Sequence, residues 1–341
     1  MITMADVRDA VSRIHGVAER TPLLASDRLD ARLGARVLCK AENLQRTGAF
    51  KLRGAYNHVM GIGAAARLRG VVGASSGNHA QALALSARLA GTRAVVVVPR
   101  DLPARKLQRI RQYHPEVVFY DRQTADRDRV VDEIARARGY AVVPSAESAF
   151  VLAGNGSIAL EILDQACDFD ALLVPVGGGG LAAGCAAVIK ELRPEVQVIG
   201  VEPDTANDTQ LSLRAGRRVS IPSPATIADG LRHSTPAETT FAMNRRLLDG
   251  VLAVSDAAIA QAMALCREHL GILVEPSGAC GLAALLSDGM PEFPGRVAVV
   301  LSGGNIDEAA FRTIIAAHSR PVCPGPARSP ASAAPAAGGL R

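Results

Sequence analysis

A chain of 341 residues, 48% hydrophobic but only 3% aromatic and without Trp, can bury two cores, packed chiefly by Ala, Val, Leu and Ile. The net charge of +5 and pI near 9.0 come largely from Arg spread along the whole chain, with few aromatics to stack bases, which argues against a nucleic-acid partner. No run approaches the roughly 20 apolar residues of a membrane span, and residues 1–16 lack signal-peptide character, so the expectation is a cytoplasmic protein with no membrane partner.

In chain order, apolar runs at 37–41, 71–75, 94–99, 117–120, 140–144, 172–176, 196–202, 251–255 and 297–303 predict strands. Amphipathic segments at 79–90, 103–113, 125–138, 157–166, 181–192 and 256–270 predict helices. The alternation predicts an α/β fold with mostly parallel sheets flanked by helices. No repeat of fixed period is present. The six cysteines (39, 167, 185, 266, 280 and 323) are scattered without a C-x-x-C pair and read as reduced, buried small hydrophobes. Residues 321–341 are rich in Pro, Ala and Gly without apolar periodicity and predict a disordered tail.

Four segments carry chemistry. In LLVPVGGGGLAAG (172–184), Gly177, Gly178, Gly179 and Gly180 stand between a strand and a helix. Their backbone N–H groups suit a single phosphate, since neither a Lys-Ser/Thr pair nor a G-x-G-x-x-G spacing is present. In VVGASSGNHAQ (71–81), Ser75, Ser76, Asn78 and His79 cross a strand-to-helix junction and offer donors to a carboxylate; His79 alone reads more readily as a cap or packing residue than as a catalyst. In VVLSGGNIDE (299–308), Ser302 ends a strand, where a hydroxyl can bond a ring nitrogen or start a helix. In NLQRTGAFKLRGAYN (43–57), Lys51 lies between Phe50 and Leu52, an apolar setting that lowers an amine's pKa as imine formation requires. Together these are the parts that pyridoxal 5'-phosphate (PLP) needs from a protein.

With KAENLQRTGAFKLRGA, SSGNHAQALALSARLAG, AGNGSIALEIL, VPVGGGGLAAG, VIGVEP, TIADGL, EPSGA and LSGGN in this order, the sequence resembles the fold-type-II PLP enzymes of the serine/threonine dehydratase and serine racemase group, from 21 to 309. The resemblance implies a two-lobed fold like the tryptophan synthase β chain, a homodimer, and a PLP-dependent lyase releasing ammonia and a 2-oxo acid from L-threonine or L-serine. Serine racemase and 3-hydroxyaspartate dehydratase are the alternatives. Carried over residue by residue, it implies Lys51 as the lysine that carries PLP and takes the Cα proton, Phe50 beside the ring and Asn78 at the 3'-oxygen. Gly177, Gly178, Gly179, Gly180 and Leu181 would hold the phosphate and Ser302 the ring nitrogen. Ser75, Ser76, Asn78 and His79 would receive the substrate carboxylate, with Ser76 a possible second proton carrier. Glu202, Ala206 and Asp208 would bind Mg²⁺, Mn²⁺ or Ca²⁺.

Three departures bear on substrate choice. Asn155 stands where relatives carry Gln, 144–152 lacks a His-Pro-Phe-Asp-like run, and Arg232, His233 and Ser234 follow TIADGL. The expected lobes are a large PLP-binding one from 1–53 and 149–320 and a small inserted one from 54–148, with no regulatory domain after them.

Overall fold

The computed structural model describes residues 1–166, 168–287 and 295–318; Cys167, Cys323 and the Pro/Ala-rich segment 321–341 lie outside the described residues. The strands are β1 (Leu23–Leu24), β2 (Arg36–Lys40), β3 (Val71–Ala74), β4 (Ala94–Pro99), β5 (Glu116–Tyr120), β6 (Ala141–Val142), β7 (Ala171–Pro175), β8 (Gln197–Pro203), β9 (Gly250–Val254) and β10 (Arg296–Val300). One sheet runs β1-β2-β10-β7-β8-β9 and the other β5-β4-β3-β6. Among the described strands every pairing is parallel except the short β1–β2 pair.

Both faces of the larger sheet are covered, as a parallel sheet requires. Leu172, Val174, Val198, Ala298 and Val300 pack with Leu152, Ile162 and Ile189 from helices Ala149–Gln165 and Gly180–Leu192. One residue along each strand, Leu173, Ile199, Val297 and Val299 pack instead with Met263 and Leu282 from helices Asp256–His269 and Pro276–Ala283. The smaller sheet is likewise apolar on two sides, around Val96 and Val98 on one and Val95 and Val97 on the other.

The predicted strand over 140–144 shrinks to Ala141–Val142, which pairs only with β3. The helix expected at 157–166 begins at Ala149. Its glycines, poor helix formers by propensity, lie where neighbouring helices touch. A Cβ at Gly154 would overlap the backbone of Arg53, and one at Gly156 would stand 3.0 Å from the Gly184 carbonyl. Because strands of a parallel sheet share one direction, the segments after β3, β7 and β10 leave their carboxyl ends, the place where α/β sheets bind ligands.

Candidate active site

Lys51 opens helix Lys51–Gly61, one of four lysines in the chain. The other three are ion-paired: Lys40 with Glu161 at 2.6 Å, Lys190 with Asp249 at 2.7 Å, and Lys106 with Asp229. Lys51 has no ion pair among the described residues. Its Nζ donates to the Ser145 carbonyl at 2.7 Å and stands 4.9 Å from the centre of the Phe50 ring. Burial lowers its pKa from 10.5 to about 8. An amine so placed is neutral, and hence nucleophilic, for a far larger fraction of the time near neutral pH than a surface lysine.

The glycine run follows β7 and turns into helix Gly180–Leu192, with Gly179 in the left-handed region (φ 79°) as its N-cap. The loop is held from outside: Thr240 Oγ1 donates to the Gly178 carbonyl at 2.8 Å and Asn244 Nδ2 to the Gly179 carbonyl at 3.3 Å. Asn155 Nδ2 donates to the Gly180 carbonyl at 3.1 Å, so the departure at 155 supports the loop rather than the substrate. A Cβ at Gly179 would come within 2.6 Å of Asn244 Nδ2. The His233 ring lies along the other side, its Nδ1 and Nε2 only 3.1 and 3.2 Å from where Cβ atoms of Gly177 and Gly178 would be. Burial, with the charges of Lys51 and Arg127 adding, lowers the His233 pKa to about 4, so the ring is neutral; its buried Nδ1 has no partner. His233 therefore belongs to the cradle wall. Leu181 is buried behind it.

Ser302 follows β10, buried, its Oγ donating to the Ser277 carbonyl at 3.4 Å. The Phe50 N–H donates to the Ser302 carbonyl at 3.1 Å, which brings the lysine segment and the serine together. Asn78 opens helix Asn78–Leu89, and its Nδ2 donates to buried Glu275 at 2.5 Å. Burial, with the Asp229 charge adding against the Asn78 bond, raises the Glu275 pKa to about 7. Asn305 Nδ2 donates to Asn78 Oδ1 at 2.8 Å. Glu275 and Asn305 lie in the EPSGA and LSGGN segments, yet nothing in the sequence singled them out, because their partner at 78 is some two hundred residues away.

The serine loop divides in two. The His79 side chain turns away, its buried Nε2 held by the Val143 carbonyl at 3.0 Å, and burial together with the Lys51 charge lowers its pKa to about 3. Only its backbone N–H, in the first turn of the helix, remains for a carboxylate. Ser75 and Ser76 instead line a cavity of about 50 Å³ with Tyr120, Arg122 and Arg127. Arg127 starts helix Arg127–Arg138, and its Nε donates to exposed Asp128 at 2.9 Å. Its charge also contributes, after burial and Lys51, to the depressed pKa values of His79 and His233. Arg127 is one of many arginines in a charged helix, so the sequence gives it no signal.

Helix Ala104–Arg111 crosses to the segments of the larger sheet: Arg105 pairs with Asp307, Lys106 with Asp229, and Arg109 Nη1 donates to Asn305 Oδ1 at 3.3 Å. Beneath the lysine, Arg53 is wholly buried and donates to Glu42 at 2.8 Å and to Glu161 at 2.6 Å, while Lys40 Nζ shares Glu161. Glu202 and Asp208 are buried as well, with Ala206 between them. The Glu202 oxygens accept from the N–H groups of Thr209 and Gln210 at 3.1 and 2.9 Å, whereas neither carboxylate oxygen of Asp208 has a partner. Among the described residues no three His, Cys, Asp or Glu side chains converge as a metal cluster. Two carboxylates in mutual reach are what the described residues bring together here.

A family model described as a pyridoxal-phosphate dependent enzyme matches residues 14–303. The chain belongs to that family. Lys51, the glycine cradle and the neutral Ser302 hydroxyl fit the group: an amine of lowered pKa without an ion pair among the described residues, a loop with no room for side chains on its flank, and a buried hydroxyl at the strand end. This PLP enzyme is 41% identical over 313 residues to an L-threo-3-hydroxyaspartate ammonia-lyase of Saccharomyces cerevisiae, covering 92% of this chain and 96% of that protein. A protein of the same name from a Pseudomonas species is 43% identical over 311 residues, covering 91% and 97%. The solved structure of maize serine racemase superposes with a TM-score of 0.88 at 36% identity, covering 93% of this chain and 98% of that one. The chain is thus a PLP-dependent lyase of the ammonia-lyase and serine racemase family. Among the described residues no helix is long and apolar enough to cross a membrane.

Proposed function

We propose that this enzyme acts on a small β-hydroxy amino acid with an acidic side chain, a 3-hydroxyaspartate, releasing ammonia and a 2-oxo acid. The observation that carries the reading is Arg127, which shares a small cavity with Ser75 and Ser76. The serine hydroxyls, the Asn78 side chain and the first N–H groups of helix Asn78–Leu89 take the α-carboxylate. Arg127 then takes the second carboxylate in exchange for Asp128, a half-exposed ion pair of little net worth. L-Threonine and L-serine, the substrates the sequence points to first, present nothing for Arg127. The two curated relatives described above carry the name of a 3-hydroxyaspartate ammonia-lyase, which supports the same choice.

Bound PLP supplies the electron sink that makes the Cα proton acidic. The protein's own part begins with the Lys51 amine, which would hold the cofactor and would be the base for the Cα proton. Phe50 would lie beside the ring, Ser302 would offer its nitrogen a neutral hydroxyl, and Asn78 would serve the 3'-oxygen. Gly177 to Gly180 and Leu181 would hold the phosphate with their N–H groups, in a loop backed by Thr240, Asn244 and His233. Ser76 is the residue for a second proton transfer, and it carries the racemase reading. Glu202, Asp208 and the Ala206 carbonyl are the place for Mg²⁺, Mn²⁺ or Ca²⁺, supported by the two partnerless Asp208 oxygens. The cation's part is structural.

The test is 2-oxo acid release from both 3-hydroxyaspartate diastereomers, L-serine, D-serine and L-threonine, by wild type and by Arg127→Met. Loss of one charge-assisted contact, about 1.5–3 kcal/mol, should raise KM for 3-hydroxyaspartate roughly 10- to 100-fold and leave L-serine turnover nearly unchanged. L-Threonine turnover that outruns 3-hydroxyaspartate and is indifferent to Arg127→Met would sink the acidic-substrate reading. Ser76→Ala should suppress D-serine chemistry more than L-serine elimination; equal losses would remove the racemase reading.

A further inference from the structure

We propose that Asn305 is a positioning residue: it sets which way the Asn78 amide faces, so that an N–H rather than a carbonyl oxygen meets the cofactor's 3'-oxygen. The proposal rests on the reading of Asn78 given above.

An Asn amide has donors on one arm and an acceptor on the other, and a half-turn exchanges them. Here its polarity is passed along a chain of partners that cannot themselves be reversed. The Thr47 carbonyl only accepts, and it lies 2.7 Å from Asn305 Nδ2. The Arg109 guanidinium only donates, and its Nη1 is 3.3 Å from Asn305 Oδ1. Asn305 is thereby fixed from both sides. Its amino group also reaches Asn78 Oδ1 at 2.8 Å, and Glu275 Oε1 accepts from Asn78 Nδ2 at 2.5 Å. A reversed Asn78 would set amino group against amino group and carbonyl oxygen against carboxylate. Both contacts would turn repulsive.

There is little slack in this arrangement. Asn78 and Asn305 are half-buried and Glu275 is buried, its N–H held by the Gly303 carbonyl at 3.0 Å. A Cβ at Gly48 would come within 2.6 Å of Asn305 Oδ1, and one at Gly303 would overlap Glu275. Once both bonds are made, the Asn78 amino group has one N–H left. That remaining donor is the one available to an anionic ring oxygen.

Asn305→Asp keeps the shape of the side chain but offers only acceptors, so it attracts the Asn78 amino group and reverses the amide. Expected results are a shift in the visible absorption band of the bound cofactor, or in the pH at which that band titrates. The PLP dissociation constant should rise about tenfold or more, the ratio carried by one hydrogen bond to an ionised oxygen. Circular dichroism and Tm of the PLP-loaded protein establish that the fold is intact. Should Asn305→Asp not fold, Asn305→Ala carries the test, with a smaller shift because Glu275 still favours the native orientation. Asn78→Ala is measured beside them. A band moved by Asn78→Ala but untouched by the Asn305 variants overturns the positioning role while leaving Asn78 at the 3'-oxygen. A band untouched by Asn78→Ala overturns both.

Discussion

Two buried charge clusters in this molecule are built on opposite plans. Around Arg53, two cations meet two carboxylates: Arg53 reaches Glu42 and Glu161, Lys40 shares Glu161, and Thr21 and Gln165 supply further bonds. Burial alone would raise the Glu42 pKa, but the Arg53 guanidinium and the Thr21 hydroxyl hold it below its ordinary value. Glu202 and Asp208 have no ion pair among the described residues. Burial, then the Asp208 charge, raises the Glu202 pKa to about 8, and burial raises that of Asp208 to about 7. A balanced cluster is complete in itself, whereas a pair of buried acids must take up protons or a metal ion. The first anchors the helix that presents Lys51; the second is the place proposed above for a cation.

The largest effect should come from breaking the balanced cluster. Arg53→Met strands buried Glu42, while Lys40 keeps Glu161, and should cost about 3–5 kcal/mol, read as a fall in the denaturation midpoint. A cost under about 1 kcal/mol would mean the network is looser than its distances. The acid pair should answer to pH instead. Both acids hold protons in the folded chain that they lose when unfolded, between about pH 4 and 8. Their contribution to stability is therefore full below about pH 4 and is lost as pH rises toward 8. Without divalent ions, Tm should fall from pH 6 to pH 8, and Mg²⁺ or Ca²⁺ should restore it most at pH 8. A cation effect equal at both pH values would separate the ion from these acids. Asp208→Asn should flatten the pH dependence and abolish the response to cation. The smallest effect belongs to exposed pairs: losing Arg129–Glu133, at 3.0 Å on a helix surface, should cost about 0.3–0.5 kcal/mol and vanish in high salt.

Reading the sequence goes far where the signal is local. The buried strands show as Val-rich runs, and the glycine cradle, the serine loop and Ser302 each mark the end of such a run, while Lys51 is marked by its apolar neighbours Phe50 and Leu52. What stayed hidden depends on distant partners. Arg53 sits two positions from Lys51 in a motif that resembles a family pattern, yet its burial follows from Glu42 and Glu161 folding against it. Arg127, Glu275 and Asn305 acquire meaning only when three chain segments converge. The helix begins at Ala149, ahead of the 157–166 its pattern predicts, because its glycines serve neighbouring helices, a reason that propensity does not contain. His79 was grouped with its neighbours by adjacency, but the first turn of a helix sends successive side chains in different directions.

The choice of arginine over lysine has a consequence for a protein that must capture an aldehyde. Guanidinium groups stay protonated and do not condense with carbonyls under mild conditions, so a surface charged this way gives free cofactor few places to go astray. Three of the four lysine amines are tied to carboxylates, which leaves the Lys51 amine as the one with no carboxylate to hold it back from a carbonyl. Borohydride trapping should therefore mark a single lysine, and loading the enzyme needs no chaperone to direct the aldehyde. Selectivity of labelling is written into the composition of the whole chain as much as into the pocket around one side chain.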